Sequence, residues 1–427
     1  MYTIRSIKGL EILDSRGYPT IEVDLFLHSG AWGRASVPSG ASTGSHEALE
    51  LRDGDPGRYA GKGVLKALNH IEHELLPQLE SKTFEDQKAW DTWLIEQDGT
   101  ANKSHLGANT TLALSLAFAR AIAASQNLPL YESLKQQKPL CLPVPMMNLI
   151  NGGVHADNAL DIQEFMVIPV GASSFSEALH MGAQIFHNLK DLLKARGFST
   201  AVGDEGGFAP DIKSTQQAFE LLLEGIEKAG FKSGRDVYLG LDLASSELYR
   251  GGRYYLDSEH ADYTRETFID LLASWVTQYP ILSLEDPLAE DDWEGWEHLT
   301  ARLGNRVQLV GDDLFVTHPE RLMRGAIKHV ANAILIKPNQ IGTLTETLTT
   351  LSIAQAHAYN TILSHRSGET EDTFIADLAV AAGAAQIKTG SLCRSERTAK
   401  YNQLLRIERA DPKIPFAGKR PFARWII

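Results

Sequence analysis

Cysteine is nearly absent from this chain: Cys141 and Cys393 are the only 2 in 427 residues. So few thiols make no disulfide framework, and a reducing cytoplasm is the expected compartment. Long apolar runs are missing too. No stretch approaches the roughly 18 residues of a membrane-spanning helix. The opening Met1-Tyr-Thr-Ile-Arg-Ser-Ile-Lys8 has no apolar core of a signal peptide. A membrane partner is therefore not expected. Positive charge is in deficit, with 41 Lys and Arg against 54 Asp and Glu, a net charge of -13 and a pI near 5.6. This balance argues against nucleic acid or an anionic membrane as partner, while a local basic pocket stays possible. There is no low-complexity tract and no repeat of fixed signature. Neither Val37–Gly44 nor Gly57–Gly63 carries the Gly-Lys-[Ser/Thr] of a phosphate-binding P-loop.

What is present divides in two. The length exceeds one ordinary domain, and the loop-like, proline-bearing stretch from about Gln126 to Pro145 reads as a junction. The expected domains are residues 1–130 and 140–427. The first begins as an antiparallel meander over residues 1 to about 45, in which Thr20–Leu27 alternates apolar and polar between turn signals. Helical stretches follow at about 62–79, 84–97 and 109–126, the last with Asn109 and Thr110 as capping candidates. His70 and His73 fall on a polar helix with no further ligand nearby, and read as solvated.

In the second part, six short runs rich in Leu, Ile and Val each end on polar or charged residues. They close on Asp242, Glu285, Asp312, Lys337, His365-Arg366 and Lys388. Chain enough for a helix separates each from the next, the pattern of buried parallel strands in βα units. Met146–Ile150 and Glu164–Ile168 bring the strand count to the eight of a closed barrel. Helices are expected at 176–196, 214–229, 265–278 and 344–358. In such a barrel the C-terminal strand ends form one rim, where active sites lie.

The rim residues suggest metal chemistry. Asp242, Glu285 and Asp312 offer oxygen from three successive strands, with no Cys or His in the pattern. That set selects a hard cation, Mg²⁺ before Mn²⁺, over zinc. Lys337, emerging from an apolar strand among other cations, can have a lowered pKa and act as a base. Glu205 sits in the glycine-flanked loop Val202–Pro210, where the backbone can approach a ligand closely. His155 lies among glycines after a strand, again at the rim. The small, polar loop around Ser42 is suited to closing over an anion or giving a metal oxygen ligands. Cys393 lies near Lys388 and Arg394, which can depress a thiol pKa, although no spacing supports a Cys/His pair.

Leu13–Gly17, Val37–Gly44, Asn151–Gly153, His155–Asn158, Asp161–Met166, Val202–Pro210, Leu284–Pro287, Val310–Leu314, Leu335–Gln340, Ser364–Thr370 and Tyr401–Leu405 occur in this order. Together they resemble the enolase family over essentially the whole chain. Tyr18, where that family often has Asn, is a small departure. The resemblance implies an α/β fold, an N-terminal α+β capping domain followed by an eight-stranded enolase-type (β/α) barrel, TIM-like but with one early antiparallel strand. It implies a hydro-lyase that reversibly dehydrates 2-phosphoglycerate to phosphoenolpyruvate. By the matching motifs, Lys337 would take the C2 proton and Glu205 would protonate the departing C3 hydroxyl. Asp242, Glu285 and Asp312 would hold a first Mg²⁺, and Ser42 would help bind a second. Arg366 and Ser367 would cradle phosphate, Lys388 would neutralise the carboxylate, and His155, Gln163, Glu164 and His365 would line the pocket. A homodimer is implied, as are second roles at a cell surface or in a ribonucleolytic assembly, for which no segment here gives a sign. The nearest rival, another enzyme removing a proton beside a carboxylate, would have a lysine base on the second barrel strand, where Gln163-Glu164-Phe165 stands.

Overall fold

The computed structural model describes residues 1–40, 44–79 and 82–426. Three antiparallel strands, β1 (Tyr2–Leu13), β2 (Pro19–Leu27) and β3 (Trp32–Ser36), form the expected meander, and a short β4 (Thr83–Phe84) pairs with the start of β1. The alternation in β2 turns Ile21, Val23, Leu25 and Leu27 inward, against the helix Ala108–Gln126. Gly33 is required at that seam, because a Cβ there would lie 2.2 Å from the Ala117 carbonyl oxygen.

Two local expectations need correction. Asn109 and Thr110 do not cap the helix, whose N-cap is Gly107 with φ +91°. The amide of Asn109 instead accepts from the Leu51 N–H and donates to the Leu51 carbonyl, both at 3.1 Å, and so ties a passing segment to the helix. The stretch expected as one helix over 62–79 changes pitch. An α-turn (Leu65–Asn69) leads into a π-helical segment (His70–Leu75) and a 3₁₀ turn (Leu76–Leu79). Pro77 has no N–H to offer the preceding turn and its ring crowds it.

The eight expected barrel strands are all present: β5 (Val144–Asn151), β6 (Glu164–Ile168), β7 (Tyr238–Asp242) and, after a small antiparallel sheet of β8 (Tyr249–Arg250), β9 (Arg253–Leu256) and β10 (Ala261–Tyr263), β11 (Ile281–Glu285), β12 (Gln308–Gly311), β13 (Ala333–Ile336), β14 (Asn360–Ser364) and β15 (Gln386–Lys388). They close in the order β11-β12-β13-β14-β15-β5-β6-β7. The four expected helices appear as Phe175–Ala195, Thr215–Lys228, Arg265–Gln278 and Leu344–Ala356. Every barrel pairing is parallel except those of β6, which runs against both neighbours. Residues 152–163 carry only a 3₁₀ turn (Gly153–His155), so no helix carries the chain back for a parallel return. The reversal puts the first residue of β6, Glu164, opposite Asn151 and Asp242, at the rim where the other strands end. Beneath the rim, Met146, Met166, Leu282, Leu335 and Ile362 pack with Phe422 of the C-terminal tail.

Candidate active site

The barrel mouth closes over a small cavity lined by His155, Gln163, Glu164, Glu205, Asp242, Asp286, Asp312, Asp313, Lys337, His365, Arg366, Ser367 and Lys388. Nearly every residue singled out from the sequence is therefore at one place. Glu285 stands just behind, fully buried. Ser42 lies outside the described residues. A larger cleft beside the cap sheet is lined by Trp32, Arg34, Arg120 and Asp372, but its cations are already matched, Arg120 with Asp372 and Arg34 with Asp24. The smaller cavity is where unmatched charge gathers.

Lys388 at the end of β15 organises one side. Its Nζ lies 2.7 Å from Glu285 Oε1, 3.0 Å from Asp242 Oδ2 and 3.1 Å from Glu164 Oε1. Burial disfavours the ammonium, but Asp242, Glu164 and Glu285 outweigh it and its pKa stands well above that of an ordinary lysine. Asp242 also accepts from Gln163 Nε2 at 3.2 Å and from the Ala244 N–H at 3.0 Å.

Lys337 organises the other side through an ion pair with Asp312. Here the expected lowering of its pKa is overturned. Burial works in that direction, but the Asp312 carboxylate outweighs it and the net shift is upward. The three expected metal ligands thus meet through two lysines, and Asp312 clusters instead with Asp286 and Asp313, their oxygens within 4.8 Å of one another. Asp286 holds the β12–β13 loop by accepting from the Asp312 and Asp313 N–H groups at 2.9 and 2.8 Å. Burial and then Asp313 raise the Asp286 pKa far above normal, and burial and Asp312 push Asp313 up to about 8. Burial and Asp242 raise Glu285 likewise, and its Oε2 has no hydrogen-bond partner among the described residues. The Asp286, Asp312 and Asp313 group, whose ligand atoms are all oxygen, fits a hard divalent cation.

Glu205 arrives on the loop Gly203–Gly207. A Cβ on Gly203 would stand 2.5 Å from the His155 carbonyl oxygen, and Gly206 has φ +85°, so the loop packs closely and turns left-handed. Glu205 accepts from Asn148 Nδ2 at 3.2 Å and has His365 Nε2 at 3.3 Å and His155 Nδ1 at 3.7 Å from its Oε1. Burial drives His365 down to about 3, so the ring is neutral. Arg397 Nη1 can only donate and lies 2.7 Å from Nδ1, so the proton sits on Nε2 and faces Glu205. Burial and the Glu205 carboxylate raise Glu164 far above normal, while Glu205 is held low by its histidines against the effect of burial. The two neighbouring carboxyls are thus shifted in opposite directions, Glu164 upward and Glu205 downward.

Arg366 Nη1 pairs with Glu47 Oε2 at 2.8 Å, and Gln340 Nε2 bridges Asp312 Oδ1 at 2.9 Å and Glu47 Oε1 at 3.3 Å. Arg397, wholly buried, donates to the carbonyls of Asp204, Arg366 and Ser367 and so couples the Glu205 loop to the end of β14. Sequence reasoning missed Glu47, Asp286, Asp313 and Arg397. The two aspartates directly follow residues already singled out, and Arg397 shares helical spacing with buried Tyr401 and Leu404; Glu47 had no signal. Cys393 is not activated: burial raises its thiol pKa despite Arg394.

A capped (β/α) barrel with buried carboxylates and two lysines at its mouth defines a metal-dependent enzyme for small anionic molecules. The family model described as "Enolase, N-terminal domain" matches residues 4–134, and that described as "Enolase, C-terminal TIM barrel domain" matches residues 139–424. Enolases of Legionella pneumophila strains Corby and Paris are each 58% identical over 421 residues, 99% of this chain and 100% of their own. The chain belongs to the enolase family.

Proposed function

We propose that this protein is a phosphopyruvate hydratase, reversibly dehydrating 2-phospho-D-glycerate to phosphoenolpyruvate in glycolysis and gluconeogenesis. The observation that carries this reading is the placing of Lys337 and Glu205, with its neighbour Glu164, in one small cavity that also holds Arg366 and Lys388.

A hydrogen beside a carboxylate is very weakly acidic, because removing it adds charge to an anion. Asp242, Glu285 and Asp312 would hold a divalent cation, Mg²⁺ by preference, which would stabilise the charge developing on the substrate carboxylate and compete with Lys337 for Asp312. A second Mg²⁺ is proposed, with Ser42 among its ligands. Lys337 removes the C2 proton. Lys388 faces the substrate carboxylate. Glu205 protonates the departing C3 hydroxyl, and Glu164, within 4.8 Å of it, lines the substrate pocket. His155, Gln163 and His365 position the substrate and exclude water. Arg366 and Ser367 take the phosphate, for which Arg366 exchanges its contact with Glu47.

Residues 1–130 act as the cap and 140–427 as the catalytic barrel. A cytoplasmic homodimer is the proposed form. Leu10, Leu13 and Trp32 stand exposed on the cap sheet and support an apolar contact there. No helix among the described residues is long and apolar enough to cross a membrane. The test is a steady-state assay with 2-phosphoglycerate and Mg²⁺ beside D-glycerate. Rapid phosphoenolpyruvate formation and poor turnover of D-glycerate are expected. Equal use of D-glycerate would instead point to the rival enzyme class.

A further inference from the structure

The cap carries a second constellation that plays no part in the barrel chemistry. His70 does not act with His73. It faces Glu74, four residues on, and His105 reaches the same carboxylate from the loop before the helix Ala108–Gln126. His70 Nδ1 lies 2.8 Å from Glu74 Oε2, and His105 Nε2 lies 2.7 Å from Glu74 Oε1. The two imidazoles are 5.1 Å apart, and one ligand atom from each of the three residues fits within a 4.8 Å span. The side chains are 25%, 35% and 44% exposed, so solvent ions reach them.

We propose that His70, Glu74 and His105 form a site for a zinc-class transition-metal ion, bound by two imidazole nitrogens and one carboxylate oxygen with the remaining position open to water. Two neutral nitrogen donors select zinc-class ions over Mg²⁺, so this site and the carboxylates Asp242, Glu285 and Asp312 of the barrel mouth take different metals from one solution. Around a tetrahedral zinc with bonds near 2.0 Å, ligand atoms stand about 3.3 Å apart. The present nitrogen–oxygen contacts need to open by only about half an ångström, which side-chain rotation supplies. His70 and Glu74 lie on the π-helical segment His70–Leu75, a distortion frequent at functional sites. As exposed ion pairs alone these groups would gain little. The loop that carries His105 is bound through Asn102 O to Leu49 N at 2.7 Å. An ion here would fasten the helix to that loop, and through it to the segment leading from the barrel mouth.

Zn²⁺ is titrated calorimetrically into the full-length protein with Mg²⁺ and phosphoenolpyruvate saturating the barrel. One zinc per chain is expected, at least tenfold weaker in His70→Ala and in His105→Ala, with turnover in Mg²⁺ unchanged in both. A zinc-dependent rise in Tm in the parent protein should vanish in the same variants. Equal zinc affinity and stoichiometry in the parent and His105→Ala would overturn the proposal.

Discussion

The barrel mouth has two halves built on different plans. In one, successive parallel strands deliver Asp242, Glu285, Asp312, Lys337 and Lys388 at their C-terminal ends. In the other, Glu164 opens the one reversed strand, and His155 and Glu205 come from glycine-bearing loops. The first half is held by ion pairs, each lysine matched to acids. The second turns on two neighbouring carboxyls shifted in opposite directions, Glu164 upward and Glu205 downward, beside a neutral His365. The division suits a reaction that first expels a proton against accumulating negative charge and then protonates a leaving group.

The comparison breaks most readily through the parallel half. Exhaustive chelation should abolish turnover and added Mg²⁺ should restore it, and Asp312→Ala should lose metal affinity together with activity. Full activity after chelation would leave the acidic cluster without its proposed role. Lys337→Ala should lower phosphoenolpyruvate formation by about 10³–10⁴-fold and stop exchange of the C2 proton with solvent, followed by NMR. On the other half, Glu205→Gln should slow dehydration by about 10²–10³-fold while some C2 exchange persists. Should Glu205→Gln abolish exchange and Lys337→Ala spare it, the acid and base assignments would be reversed.

Smaller effects sharpen the picture. Arg366→Lys keeps the charge but loses the planar fork, and should reduce kcat/KM by about 10- to 100-fold, with phosphate affinity weakened. His365 provides a pH test. Its folded pKa of about 3 lies below the ordinary 6.5, so below pH 6.5 the unfolded chain gains a proton that the folded one refuses. Stability should therefore fall as pH drops from 6.5 towards 3, by about 2 kcal/mol at pH 5 from this group alone. Urea midpoints at pH 7 and pH 5 measure it, and His365→Gln should flatten the difference.

How legible each half was follows from its construction. A parallel strand buried on both faces reads as an apolar run, and its first polar residue marks the rim, which is why Asp242, Glu285, Asp312, Lys337 and Lys388 were visible from pattern alone. Glu164 stands at the start of its run, where pattern marks no rim, and only the family resemblance put it in the pocket. Glu205 and His155 could be read as rim residues only through glycines and family resemblance. Glu47 gave no cue, Arg397 only its helical spacing with buried Tyr401 and Leu404, and Glu74 only its i,i+4 place after His70, because Glu47 and Arg397 meet their partners, and Glu74 meets His105, from far along the chain.

The sequence by itself determined the strand and helix content, the eight-fold count, the oxygen-rich character of the site and the family, because burial periodicity and motif order are properties of neighbouring residues. The resemblance implied one early antiparallel strand, but only the tertiary structure identified it as β6, and only it decided the upward shift of Lys337 by Asp312, the opposite shifts of Glu164 and Glu205 and the meeting of His70, Glu74 and His105. Each of these depends on charges or chain directions brought together across tens to hundreds of residues, and electrostatic energy follows distance in space, which local pattern does not carry.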